Sequence, residues 1–309
     1  MPVDPQCQAL LALTDDQLGS LSGSDLDAAR EGFSSLTLPL EDREPVHSSE
    51  DLTLEVNPGH EVPVRVTRPS AESGLGVLVW FHGGGWVVGD LDSHDQMVRQ
   101  LTNRSGCVVV SVDYRRAPES PFPAAFEDCL AVTSYVVESG ADSLDVDPAR
   151  VAVGGDSAGG NLAGAVALAA AADGMELAFQ LLAYPVCAPD FDTSSYQENA
   201  EGYLLTRDDM IWFWDRYVAS PAERLDPRVN LLVAGAFDGV APVWIATGEF
   251  DPLRDEGNAF AALLANNGVE VHHECVAGMI HGFMSMGDLV DRGDQALSDA
   301  AAALAAAIG

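Results

Sequence analysis

Six short apolar runs punctuate the chain: GVLVWF (76–81), CVVVSVDY (107–114), RVAVG (150–154), AFQLLAYP (178–185), APVWIATG (241–248) and VEVHHECV (269–276). Stretches with helical character separate them, including one from about residue 124 to 138, an alanine-rich one over 158–172 and a long one from about 288 to the end. A strand that is apolar without alternation is buried on both faces. Strands of that kind alternating with helices predict an α/β fold, with a mostly parallel central sheet flanked by helices. Ahead of them, LTLEV (52–56) and VPVRVT (62–67) flank Asn57-Pro58-Gly59, a hairpin signal.

Two segments depart from this rhythm. Residues 1–45 mix short apolar stretches with Asp and Ser and read as small helices before the main fold. Residues 190–230 hold a loop and a helix over 206–217, with Thr206 suited to cap it ahead of Asp208 and Asp209. We read this segment as an insertion over the carboxyl edge of the sheet, where open α/β folds bind ligands. A length of 309 residues allows one or two domains. The expected division is one catalytic unit, 46–309, capped by residues 1–45 and 190–230.

Charge narrows the function classes. The chain has 48 Asp and Glu against 15 Arg and Lys, a formal net charge of −33, and all the cations are arginine. Such a surface repels phosphate backbones and anionic membranes, so neither nucleic acid nor membrane is an expected partner. Without lysine there is no Schiff base and no P-loop. Two origins of this composition stand open: adaptation to high salt, or a genome that favours Ala, Arg, Gly and Asp. The N-terminal MPVDPQCQALLALTDDQL lacks the basic region and cleavage site of a signal peptide. The longest low-polarity run, 162–172, is too short to span a bilayer. Cys7, Cys107, Cys129, Cys187 and Cys275 are scattered and odd in number, which suits buried free thiols in a reducing compartment. The expectation is a cytoplasmic protein.

Gly155-Asp156-Ser157-Ala158-Gly159 is a G-x-S-x-G pattern, weak alone but set between an apolar strand and a helix, where a nucleophile elbow belongs. A second signal is His82-Gly83-Gly84-Gly85-Trp86 after the strand ending at Phe81, where bare backbone N–H groups can approach an oxyanion. Serine needs a general base, oriented in turn by a carboxylate. Of the seven histidines, His272 and His273 are adjacent in a strand and point to opposite faces, so they read as structural. His47 and His60 lie ahead of the central strands, and His94 reads as a helix-start residue. His281, in the loop GMIHGF after the last strand, is the expected base. Asp251 stands just past the strand ending at Gly248, whereas Asp255 and Glu256 fall on the following helix and would pair with arginine or solvent. The order Ser157, Asp251, His281 is that of α/β hydrolases. No histidine or cysteine stands near Asp156, Glu127 or Asp128 at ligand spacing, so no metal is expected and local backbone N–H groups should satisfy these carboxylates.

The chain resembles bacterial hormone-sensitive-lipase-type carboxylesterases (family IV, GDSAG branch). The matching stretches are HGGGWVVGDLDSHD (82–95), DYRRAPESPFPAAFEDC (113–129), GGDSAGGNLA (154–163), GYLLTRDDMIWFW (202–214), GEFDPLRDEG (248–257) and IHGF (280–283). Arg116 and Ser120 depart from the family's usual leucine and histidine, away from the triad. The resemblance implies an α/β-hydrolase fold with a helical cap and hydrolysis of short- to medium-chain acyl esters through an acyl-enzyme. Ser157 would be nucleophile, His281 base and Asp251 its orienting acid. Gly84, Gly85 and Ala158 would form the oxyanion hole, with Gly83 shaping the turn or sharing in donation. Trp86, Tyr184, Leu204, Leu205, Ile211, Trp214 and Phe283 are the candidates to line the substrate pocket. No cofactor is implied, and a homodimer is a family-level expectation. A deacetylase or lactonase would use the same machinery, whereas a receptor of this fold would have no need to keep the base.

Overall fold

The computed structural model describes residues 2–14 and 21–309, so part of the expected first cap segment (residues 1 and 15–20) lies outside the described residues. In chain order the helices are α1 (Pro5–Thr14), α2 (Leu26–Ser34), α3 (Asp95–Ser105), α4 (Ala124–Ser143), α5 (Ala158–Ala172), α6 (Ser194–Glu198), α7 (Arg207–Tyr217), α8 (Arg254–Asn266) and α9 (Asp291–Ile308). The strands are β1 (Ser48–Asn57), β2 (His60–Arg68), β3 (Leu75–Phe81), β4 (Val108–Val112), β5 (Val146–Asp156), β6 (Phe179–Ala183), β7 (Val243–Phe250) and β8 (Val271–Ile280). They form one sheet in the order β1-β2-β4-β3-β5-β6-β7-β8. β1 and β2 are the antiparallel hairpin read from Asn57-Pro58-Gly59, and β2 pairs antiparallel to β4. The other pairs, β3·β4, β3·β5, β5·β6, β6·β7 and β7·β8, are parallel. The chain has the α/β-hydrolase fold.

Period-two alternation sorts each apolar run onto two cores. Val77, Val79 and Phe81 of β3 join Val108, Val110 and Val112 of β4 on one face, beneath Phe126 of α4, Leu162 of α5 and Phe260 of α8. Leu78 and Trp80 join Val109, Leu181 and Trp244 on the other, beneath Leu101 of α3 and Leu297 and Leu304 of α9. Each buried side chain of this size contributes roughly 1.5–3 kcal/mol over its exposed state. A strand apolar at every position therefore gains only when both faces are covered.

Element limits moved where tertiary packing outweighed local signals. α4 runs to Ser143, past the expected end near 138, because Val136 and Gly140 are buried against the start of β5. That packing offsets the cost of about 1 kcal/mol for a helical glycine. β5 begins at Val146, four residues before the apolar run. In the insertion, Thr206 caps α7 as read, and Asp209 completes a capping box with it.

The described parts of the two expected cap segments meet. The Ser22 N–H donates to Asp209 Oδ1 of α7 (2.9 Å). Arg30 of α2 donates through Nε to Val87 O (3.0 Å), just past the glycine loop. α1 lies elsewhere: Asp4 N–H donates to Gly278 O of β8, and Cys7 is buried in the core under α9. All five cysteines are free and four are buried, but Cys275 is exposed, because β8 is the edge strand and its outward positions face solvent. No helix among the described residues is long and apolar enough to cross a membrane.

The arginines are fully engaged. Twelve are in ion pairs, at residues 30, 43, 65, 99, 104, 115, 150, 207, 224, 228, 254 and 292. Arg68 and Arg116 bind backbone carbonyls, and Arg216 lies over the Trp212 ring. No arginine is left over to offset the remaining carboxylates, which repel one another across the surface. Added salt should screen that repulsion. The melting temperature is expected to rise by several degrees between low and molar NaCl; a flat or falling value would contradict the salt-adapted reading.

Candidate active site

β5 ends at Asp156 and α5 begins at Ala158, which leaves Ser157 alone at the turn with φ 55° and ψ −119°. A side chain at positive φ costs of order 1–3 kcal/mol and persists only where its surroundings dictate it. Here Ser157 N–H donates to Ala183 O (2.9 Å), and Ser157 O accepts from Val186 N–H (3.1 Å), so β6 and its exit loop clamp both sides. The next turn fits because Gly159 has no side chain; a Cβ there would strike the carbonyl of Phe81.

The three residues read as a triad converge. His281 Nε2 lies 3.0 Å from Ser157 Oγ, and His281 Nδ1 lies 2.7 Å from Asp251 Oδ2. Asp251 is fully buried, and its Oδ1 accepts the Leu253 N–H (2.8 Å). Asn199, from the insertion, donates to the Asp251 carbonyl (3.2 Å) and ties the acid loop to α6. The Tyr184 ring meets the His281 ring edge-on at 4.9 Å, restricting its tilt.

The glycine loop leaves β3 beside this triad. Gly84 and Gly85 take φ of 110° and 58°. A Cβ on Gly85 would enter the ring of Phe213, so α7 packs directly on the loop. Trp86 stacks on Tyr217 (4.2 Å between centroids) and meets Trp214 edge-on (5.1 Å), continuing the same contact. The Gly83 N–H donates to Asp156 Oδ1 (2.9 Å), so it is spent within the protein. Ala158 opens α5, and its N–H has no acceptor within the helix.

Several expected roles changed. Trp86, Tyr184, Trp214 and Phe283 have at most 1% of their surface exposed, so they are core side chains and not walls of an open pocket. Leu204, Leu205 and Ile211 keep accessible surface, and Leu204 stands at φ 75°. Glu256 does not pair with arginine or solvent: it is buried, and its Oε1 accepts the Cys187 N–H (2.7 Å). Burial holds that carboxyl well above its ordinary range. Asp255 does pair with Arg254 (2.9 Å). Asp128 is met by His60 Nε2 and by the backbone and side chain of Arg115, and Asp156 by Gly83 and His94, so side chains as well as backbone satisfy them. His272 stacks on Trp244 and His273 lies 3.4 Å from Thr247 Oγ1, on opposite faces. His94 does stand at the start of α3, but its pairing with Asp156, 62 positions along the chain, is not visible in the sequence. Among the described residues no three His, Cys, Asp or Glu converge as a metal site would require. A groove of about 730 Å³ beside α9, walled by Trp244, Glu270, His272 and Asp299, contains no triad member.

A profile of the alpha/beta hydrolase fold matches residues 78–285, about two thirds of the chain. The chain belongs to the α/β-hydrolase family. Its relatives place it in the hormone-sensitive-lipase-type carboxylesterase branch. It is 40% identical over 253 residues to an ethyl acetate hydrolase of Pseudomonas putida, covering 80% of this chain and 79% of that one. It is 40% identical over 255 residues to the carboxylesterase NlhH of Mycobacterium tuberculosis, again covering 80% and 79%. Among solved structures, a thermostable esterase from Pseudomonas putida ECU1011 matches with a TM-score of 0.93 at 36% identity, covering 100% of this chain and 98% of that one. A hyperthermophilic esterase from the archaeon Pyrobaculum calidifontis matches with 0.94 at 38%, covering 99% of both.

Proposed function

We propose that this α/β hydrolase is a serine carboxylesterase that cleaves short- to medium-chain acyl esters through an acyl-enzyme on Ser157. The observation that carries the reading is the continuous chain Ser157 Oγ, His281, Asp251, with bonds of 3.0 and 2.7 Å. Asp251 accepts the Nδ1 proton of His281, which leaves the Nε2 lone pair facing Ser157. As Oγ attacks the carbonyl carbon, Nε2 takes its proton. The oxyanion that forms is held by the N–H groups of Gly84, Gly85 and Ala158, the last at the positive end of α5. Gly83 gives its N–H to Asp156 and so shapes the loop without donating to substrate. His281 then protonates the leaving alcohol, and in the second half-reaction it deprotonates the water that attacks the acyl-enzyme. Serine, imidazole, carboxylate and backbone amides suffice, so the reaction calls for no cofactor or metal.

The part of the first segment around Ser22 and α2, together with residues 190–230, serves as the cap in this reading, and Leu204, Leu205 and Ile211 are the accessible apolar side chains it offers to an acyl or alcohol group. The enzyme is read as cytoplasmic, with a homodimer as the family-level expectation and neither membrane nor nucleic acid as partner. With every arginine engaged elsewhere, neutral esters are favoured over carboxylate-bearing ones. Rates on p-nitrophenyl esters from C2 to C12 test the substrate class. The expected profile peaks at short to medium chains and falls by C12. No turnover on any of them would contradict the reading, and a maximum at C12 would replace it with a lipase.

A further inference from the structure

Behind the glycine loop sits a buried pair that the reaction above does not use. Asp156, next to the nucleophile in sequence, points away from it: Oδ1 accepts the Gly83 N–H (2.9 Å) and Oδ2 lies 3.3 Å from His94 Nε2. His94 is at the N-terminus of α3 and is 7% exposed; Asp156 is 5% exposed.

The hydrogen bonds are those an imidazolium would make. Ser93 Oγ lies 3.0 Å from His94 Nδ1, donates its own proton to Asp90 O (2.9 Å) and accepts from Asp90 N–H (2.9 Å). With its proton on that carbonyl, the hydroxyl accepts from Nδ1–H. At the other nitrogen, a bare lone pair facing a buried carboxylate oxygen at 3.3 Å would be repelled, so Nε2 donates as well. The Gly83 amide is 3.2 Å from Nε2, but a protonated Nε2 has no lone pair to receive it, and the shorter bond to Asp156 takes that proton. In this arrangement both ring nitrogens donate, which is the pattern of an imidazolium.

The groups around it agree. Asp156 faces it from the end of β5, Asp90 from the loop before α3 and His82 from the end of β3, 5.4 Å away between ring centroids. Phe33 of α2 stacks on its outer face at 6.1 Å. Burial pushes both histidines toward neutrality. At His94 the charges and hydrogen bonds of Asp156 and Asp90 together outweigh that and raise its affinity for the proton, whereas His82 is depressed to about 3 and stays neutral. Arg116 and Tyr114 lie nearby, Arg116 repelling a charge on His82 and Tyr114 donating to the His82 carbonyl (2.7 Å).

We propose that His94, as an imidazolium paired with Asp156, is a positioning residue that holds Gly83 and so aims the amides of Gly84 and Gly85 at the oxyanion. The proposal rests on the serine-esterase reading of the same site. It implies a titration on kcat separate from that of the general base. A histidine with a raised folded-state pKa contributes fully below its ordinary value and loses that contribution as pH climbs through the folded one. Alkaline pH therefore strips the proton, leaves the Asp156 charge buried without its cation and loosens the loop.

His94→Gln keeps a donor for Asp156 but cannot titrate. It is expected to lower kcat by about 10- to 100-fold, short of the roughly 10²–10³ for deleting an oxyanion donor. KM should stay within about threefold, and the alkaline fall in kcat should vanish. Unchanged kcat, a change confined to KM, or a persisting alkaline fall would overturn the proposal. Should that variant not fold, histidine-selective ¹⁵N NMR of Ser157→Ala reads the charge directly. His94 is expected to be doubly protonated at pH 7, where an ordinary imidazole of pKa about 6.5 is mostly neutral; a singly protonated ring overturns the proposal. Turnover surviving in Ser157→Ala would instead refute the serine reading, whatever His94 does.

Discussion

Replacing Ser157 with alanine is expected to leave the fold intact and to lower p-nitrophenyl ester turnover by about 10⁴-fold or more, the scale seen when a serine nucleophile is removed from a triad. The substitution deletes one oxygen. Its Cβ stays, so the strained φ of 55° is no worse than before, and the backbone clamps to Ala183 and Val186 persist. What goes is the atom 3.0 Å from His281 Nε2 that would carry the acyl group. Retained kcat above a few per cent of the parent would contradict the assignment, provided circular dichroism shows both proteins folded.

The second large effect is expected at Asp251. In Asp251→Asn the side chain still fills its fully buried site, but it can satisfy only one neighbour. Its oxygen can accept from Leu253 N–H or from His281 Nδ1–H, and its amide then faces the other donor. With the amide toward His281, the ring must put its proton on Nε2 and has no lone pair for the serine proton. We expect kcat to fall by about 10³–10⁴ with KM within a few-fold, because tautomer control acts on the chemical step and not on ester binding. A loss below tenfold would mean that another carboxylate orients the base.

Much of this architecture is legible in the residues, and the legible parts are local. The apolar runs at 76–81 and 107–114 announce two-faced strands, and Asn57-Pro58-Gly59 announces the hairpin, because each signal acts over a few residues. Ser157, Asp251 and His281 are readable for the same reason: each sits where a strand ends. Contacts set by the tertiary arrangement are not readable. Nothing near His94 reports that β5 will bring Asp156 to it, nor does Gly85 report the Phe213 ring of α7 above it. Trp86 and Trp214 looked like pocket walls because large aromatics suit either role, and only their burial against Tyr217 and each other separates the two. Glu256 departs from the sequence expectation because a carboxylate on a helix is normally exposed, whereas here α8 turns it inward to hold the amide of Cys187.

The acidic composition takes a narrower meaning in the folded chain. The arginines staple segments together, as Arg65 joins Asp51 to Asp92 and Arg30 joins α2 to Glu119. They are structural cations and leave none to recognise an anionic substrate.

The most direct test of the central claim is covalent labelling of the native chain by a fluorophosphonate, followed by mass mapping of the modified peptide. The account predicts one adduct per chain, on Ser157, formed faster than on other hydroxyls because in the proposed mechanism this oxygen has both a base and an oxyanion cradle. Ser157→Ala should take up none. An unlabelled native chain, or an adduct on a different serine that Ser157→Ala retains, would contradict it.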